Sequence, residues 1–125
     1  MNVNKFKTEE YWSNTFSSKS ISLLNKENNE YIFHCISETL IENGIKDFKY
    51  IEGFVLTYNS DIPVFHTWIE FENGDILDPV CRHQFNIDSD DIYRVSETES
   101  FMCDGYEVDF ETRTLSAEEY SDIFC

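Results

Sequence analysis

Cys35, His66 and Asp78 follow one another along the chain, and together they are the parts of a thiol acyl-transfer centre. The cysteine would supply the nucleophile. The histidine would take its proton and later return it to the leaving group. The carboxylate would fix the imidazole tautomer. A cysteine is mostly protonated at neutral pH, so this chemistry favours a position early in a helix and beside an imidazolium. It also needs donors for the tetrahedral oxyanion. The Cys35 backbone N–H is one candidate and the Asn29 side chain another, although Asn28 or Asn29 reads more readily as a helix cap. Taken singly, each residue has a commoner use. Cys35 suits a small core position, His66 a half-buried strand position, and Asp78-Pro79 the end of a strand.

The elements that must position these residues follow from periodicity. Thr8 before Glu9 and Glu10 reads as a helix start, with Tyr11, Trp12 and Phe16 on one face. Ser17 to Ser20 is a break, Ile21 to Leu24 a short helical turn, and Lys26 to Asn29 a polar loop. From Glu30 to Asn43 the stripe Ile32, Ile36, Leu40 has helical spacing, and Asn43-Gly44 is a stop. This places Cys35 in the N-terminal half of a helix. After Gly44 the pattern turns to period two. Phe48–Tyr58 and Val64–Glu72 read as strands joined by a turn at residues 59–63, and Asn73-Gly74 leads into a third strand from Asp75 to Val80. Cys81 to Asp91 reads as a polar loop. Residues 92–95 and 106–110 read as further strands. Ser116-Ala117-Glu118-Glu119 is a capping box opening a terminal helix. The expected fold is α+β: a single domain over residues 1–125, with N-terminal helices packed on an antiparallel sheet.

Alternation sets His66, Trp68 and Glu70 on one face of their strand, and Phe65, Thr67, Ile69 and Phe71 on the other. The second set is the more apolar, so it is expected to face the core, leaving His66 on the more polar face with Trp68 shielding it from water. A strict two-residue turn at Asn73-Gly74 would pair Ile69 with Asp78 and send Asp78 to the face opposite His66. A longer turn or a bulge would restore a common face.

Composition bounds the partners. The 125 residues carry 41% hydrophobic and 16% aromatic content, enough for one compact core. The net charge is −16 and is uneven. Residues 1–49 hold six Lys and seven acids; residues 50–125 hold three Arg and eighteen acids. Such a surface repels nucleic acid and anionic membrane and attracts a basic partner. With no apolar run at the start and no C-x-x-C pair, the reading is cytoplasmic, or delivered into another cell without a signal, and free of structural zinc. Cys81, Cys103 and Cys125 have no base at recognisable spacing. His34 and His83 read as surface residues, and a metal site drawn from His66 and His83 lacks a recognised spacing. Oligomeric state is not legible.

The segment His66-Thr67-Trp68-Ile69-Glu70-Phe71, then Asn73-Gly74, then Ile76-Leu77-Asp78-Pro79, resembles the histidine-to-aspartate segment of the transglutaminase-like, papain-like cysteine-peptidase superfamily. Cys35 precedes His66 by 31 residues and His66 precedes Asp78 by 12, spacings that resemble compact members such as lasso-peptide leader peptidases. The resemblance covers roughly residues 30–80. It implies a papain/transglutaminase-like core, Cys35 as nucleophile, His66 as general base and acid, and Asp78 as orienter. Phe33-His34-Cys35 lacks the small residue the family often places before its cysteine. The implied function is cofactor-free acyl transfer by a peptidase, deamidase or transamidase on a peptide or glutamine carbonyl. The acidic half suggests a basic protein or peptide substrate. The alternative is a non-catalytic acidic interaction or inhibitor protein on the same fold.

Overall fold

The computed structural model describes residues 3–16, 29–56, 63–81, 85, 87–88 and 91–125. Within them the chain is α+β. A 3-10 turn, Val3–Lys7, leads into helix α1, Glu9–Thr15, and α2 spans Asn29–Glu42. Seven strands follow: β1 Phe48–Leu56, β2 Val64–Phe71, β3 Ile76–Leu77, β4 Tyr93–Val95, β5 Glu99–Cys103, β6 Tyr106–Phe110 and β7 Arg113–Ser116. Helix α3, Ala117–Phe124, closes the chain. Among the described residues no helix is long and apolar enough to cross a membrane.

The start of the chain is tied down by specific contacts. Thr8 caps α1, its hydroxyl accepting from the Tyr11 N–H. The Trp12 indole N–H donates to the Phe6 carbonyl at 2.7 Å, which satisfies the polar end of a buried ring. Lys7 pairs with Asp47 at 2.7 Å and lies over the Phe71 ring. The expected helical turn at residues 21–24 and most of the turn at 59–63 lie outside the described residues.

The main sheet runs β3-β2-β1-β4, with β7 also paired to β1. β1 is antiparallel to β2 from Phe48↔Phe71 to Val55↔Val64. On its other edge β1 takes β7 over Lys49–Glu52 and β4 over Phe54–Leu56. β4 and β7 therefore lie end to end along one edge, and β5 and β6, which among the described strands pair only with each other, leave the sheet between them. The hairpin tip is Asp104-Gly105, with φ of 50° and 85°, the left-handed pair that a tight hairpin turn requires. Sequence patterning found β6 but neither β5, whose residues alternate weakly, nor β7.

Packing makes α2 the central helix. Ile32, Phe33, Ile36 and Leu40 are wholly buried with Tyr50, Ile69, Leu77 and Tyr120. α3 is opened by the expected capping box: Ser116 accepts from the Glu119 N–H, and Glu119 accepts from the Ser116 N–H, each at 3.1 Å. Its Tyr120 meets His34, which stacks on Tyr50 at 5.3 Å and shares a 2.6 Å hydrogen bond with the Tyr120 hydroxyl. His34 is thus half-buried in an aromatic cluster rather than a surface residue; α3 covers it, which the local pattern could not show. His83 lies outside the described residues.

The expectation that the Phe65, Thr67, Ile69, Phe71 face meets the core holds for Thr67, Ile69 and Phe71 but not for Phe65, and the other face is buried too. His66 and Trp68 are as deeply buried as Thr67 and Ile69, while Phe65 is 43% exposed. The middle of β2 is covered on both sides, so alternation in polarity could not tell its faces apart.

Gly53 explains how the sheet accommodates Trp68. A β-carbon there would stand 2.6 Å from the Trp68 ring and collide with the Val95 carbonyl. Gly74, by contrast, has a φ of 93° and open space around it. Gly53→Ala should cost about 1–3 kcal/mol through overpacking and change the near-ultraviolet tryptophan signal. Gly74→Ala should cost only the strain of its backbone angle, about 1 kcal/mol, and leave that signal unchanged. Urea denaturation with near-ultraviolet circular dichroism reads both. A Gly53→Ala protein as stable as the parent would refute the close approach.

Candidate functional site

The register at Asn73-Gly74 decides whether His66 and Asp78 can meet. Ile69 pairs with Leu77 and Glu70 with Ile76, while the Gly74 N–H donates to the Phe71 carbonyl and the Phe71 N–H to the Asp75 carbonyl. Glu72, Asn73 and Gly74 form the loop, one residue longer than the strict turn, with Gly74 in the left-handed conformation that such a loop needs. Continuing this register sets Asp78 across from Trp68, on the face that also carries His66. Asn73 holds the loop, its side-chain oxygen accepting from the Asp75 N–H at 2.9 Å.

His66 Nε2 lies 2.7 Å from Asp78 Oδ2. Their side chains are 1% and 0% exposed. Burial pushes the Asp78 carboxyl up, but the His66 imidazole and the Arg94 guanidinium outweigh it and hold the group below its ordinary value. The carboxylate is therefore ionised and can only accept, so Nε2 carries the proton and donates it. Arg94 Nη1 donates to the same Oδ2 at 2.9 Å. The second oxygen, Oδ1, accepts from the Val80 and Cys81 N–H groups at 3.3 and 3.0 Å. Those two bonds turn the chain at Asp78-Pro79, which is why β3 ends at Leu77 instead of reaching Val80.

Aromatic rings enclose the pair. Trp68 stacks near His66 at 6.2 Å between centroids, Phe33 meets it edge-on at 6.1 Å, and Phe85 edge-on at 5.1 Å. Arg94 lies over the Trp68 ring at 5.1 Å. Trp68 thus lies beside the His66 ring that it was expected to shield. Arg94 was missed by the sequence reading: it lies in a strand of three residues, and only pairing with β1 brings it to Asp78.

Cys35 is not brought to this cluster. Phe33 is the α2 residue that faces the His66 ring, and two residues along a helix are about 200° of rotation, so Cys35 points the other way. It is half-buried on the flank it shares with Tyr31 and Glu38. Cys35 lies near the Tyr31 hydroxyl, and that neighbour is the main cause raising Tyr31 above its ordinary 10.0. Of the expected triad, the structure joins His66 and Asp78 and leaves Cys35 apart. The helical stripe was read correctly, but which stripe position meets which strand is a tertiary matter. Cys35 also lies well inside a helix that begins at Asn29, beyond the first-turn amides that would favour a thiolate. The proposed oxyanion donor, the Asn29 side chain, lies outside what is described.

The thiol that does adjoin Asp78 is Cys81. It is buried, and burial together with the Asp78 charge pushes it up to about 12, so it stays a protonated thiol at neutral pH. Among the described residues no group of His, Cys, Asp and Glu could hold a metal ion. In comparisons with known proteins, the chain matches no family model, no curated protein and no solved structure.

Asp78 sets a pH window. Its folded-state value is depressed, so its contribution to stability is complete above the unfolded-chain value of 3.8 and is lost as pH falls through the folded value. Arg94→Met removes one of the two groups responsible. It should move the acid loss of stability to higher pH while leaving the fold intact near neutrality. Urea midpoints measured from about pH 3 to pH 7 would show the shift. Identical acid limbs for parent and variant would contradict the role given to Arg94.

Proposed function

We propose that this chain is a non-catalytic, acidic interaction protein in which His66, Asp78 and Arg94 hold the sheet together. The papain/transglutaminase-like core, with a helix followed by an antiparallel meander carrying His and then Asp, is part of the proposal. One observation carries it: the residue α2 presents to His66 is Phe33, and Cys35, two residues on, is about 200° further round the helix. A general base must come within hydrogen-bond reach of the proton it abstracts. Turning α2 to bring Cys35 round would expose Phe33, Ile32, Ile36 and Leu40, which are wholly buried. Each is worth about 1.5–3 kcal/mol of burial, so the exchange is beyond a local adjustment.

The surface charge supports the same reading. The excess of acid on residues 50–125 favours a basic protein partner and disfavours nucleic acid and anionic lipid.

The second reading is a thiol acyl-transfer enzyme. The 2.7 Å bond from His66 to Asp78 favours it, since an imidazole fixed by a buried carboxylate is what a general base requires. Iodoacetamide labelling near neutral pH separates the two. In the interaction reading Cys35 reacts no faster than the exposed Cys125, and His66→Gln leaves its rate unchanged. Labelling of Cys35 roughly tenfold faster than Cys125, with that advantage lost in His66→Gln, would establish an activated thiol and overturn the proposal.

A further inference from the structure

The β5–β6 hairpin is poorly explained by the needs of the core. Its two strands pair with each other and with no other described strand. The register Phe101↔Val108 and Cys103↔Tyr106 sets one face of apolar character, and Ser100↔Asp109 with Met102↔Glu107 sets the other. Only the base of the apolar face is held: Phe110 meets Phe54 edge-on at 5.0 Å and Phe101 at 5.5 Å, and Phe54 continues to the half-exposed Phe65 at 5.8 Å. Beyond that point the arm is in solvent. Tyr106 is 76% exposed, Met102 67% and Val108 39%.

Its charge is one-sided. Between residues 97 and 111 the chain carries Glu97, Glu99, Asp104, Glu107, Asp109 and Glu111, and no Lys or Arg. Along β6 and just past it the order is Tyr106, Glu107, Val108, Asp109, Phe110, Glu111, a strict alternation of apolar and acidic. Beside the arm's base is an open cleft of about 390 Å³ lined by Glu52, Phe65, Glu111, Thr112 and Arg113. Arg113 is already paired with Glu52 there, so the cleft offers a visitor the Glu111 carboxylate and the Phe65 ring.

Acidic residues on an edge strand also serve to prevent unwanted pairing with other chains. That use accounts for Glu107 and Asp109. It does not account for Tyr106, Met102 and Val108, which add the apolar surface that such protection would remove.

We propose that the free edge of β6 is a docking site for an extended segment of a basic protein, one that alternates Lys or Arg with apolar side chains. The inference rests on the interaction reading and names its partner. Strand addition would supply main-chain hydrogen bonds to the open edge. The alternation of β6 then sets the register. Apolar side chains of the visitor lie beside Tyr106, Val108 and Phe110, and its cations lie beside Glu107, Asp109 and Glu111. Phosphate-bearing partners are disfavoured by the same acids.

The test uses the full chain and two synthetic peptides of about a dozen residues, one alternating Lys with Val and one alternating Lys with Gly. Titration calorimetry at low and physiological salt reads binding. The Lys–Val peptide should bind at least tenfold tighter than the Lys–Gly peptide, and more weakly as salt rises. Glu107→Lys with Asp109→Lys should weaken it at least tenfold, and Tyr106→Ser with Val108→Ser should do the same. Glu118→Lys with Asp122→Lys, the same charge change on exposed positions of α3, should alter it by less than about threefold. These side chains are exposed, so the variants retain the fold, which circular dichroism checks. Equal binding of both peptides would overturn the apolar half of the proposal. Binding that follows the α3 pair as much as the β6 pair would reduce the arm to general charge attraction, while leaving the interaction reading standing. Absence of binding would overturn the docking site. That reading itself fails only on a different result, an activated Cys35.

Discussion

The Asp78 carboxylate is the constraint around which much of the sheet is arranged. It is buried without solvent contact and ionised, and a charge in that position is tolerable only if each oxygen is answered. One oxygen takes the His66 and Arg94 donors, and the other takes two backbone N–H groups from the turn that follows. These demands reach into separate parts of the chain. β2 must present His66, β4 must present Arg94, and the loop before β3 must have the length that puts Asp78 on their side. The neighbouring Gly53 leaves the room Trp68 needs to lie against this cluster.

Such an arrangement has two uses in proteins. It can orient a base for chemistry, or it can fix the register of a sheet whose faces are both apolar. On the interaction reading, the second use is the one that applies. A one-residue slip of β2 against β3 would bury Asp78 away from its donors, so the buried charge selects one register where apolar contact alone would be less selective. Phe33 packs against the imidazole and contributes burial there.

The rest of the molecule divides by charge. The core cluster around α2 is aromatic and closed by α3, whereas the edge of β1 carries an inserted arm that is acidic and partly apolar. An arm that leaves the sheet between two short strands places little demand on the core. The two regions meet at the ring contacts of Phe54 with Phe65 and Phe110, which tie the arm's base to the outer sheet.

What local physics encodes was legible in the chain. Helical spacing marked α2 to within a residue, period two and Asn73-Gly74 marked the meander, and Ser116 with Glu119 marked the start of α3. The pattern also placed His66 and Asp78 on adjacent strands of one hairpin, but left open whether they share a face. Tertiary structure decided everything that depends on which faces meet. The extra loop residue at the hairpin set Asp78 on the side of His66. The pairing of β4 with β1 delivered Arg94, and the docking of α3 buried His34. The rotation of α2 about its own axis put Phe33 against the imidazole and turned Cys35 away. A helix repeats its stripe but carries no mark of the strand each stripe residue will touch, so the partner of a residue is fixed only when the helix packs.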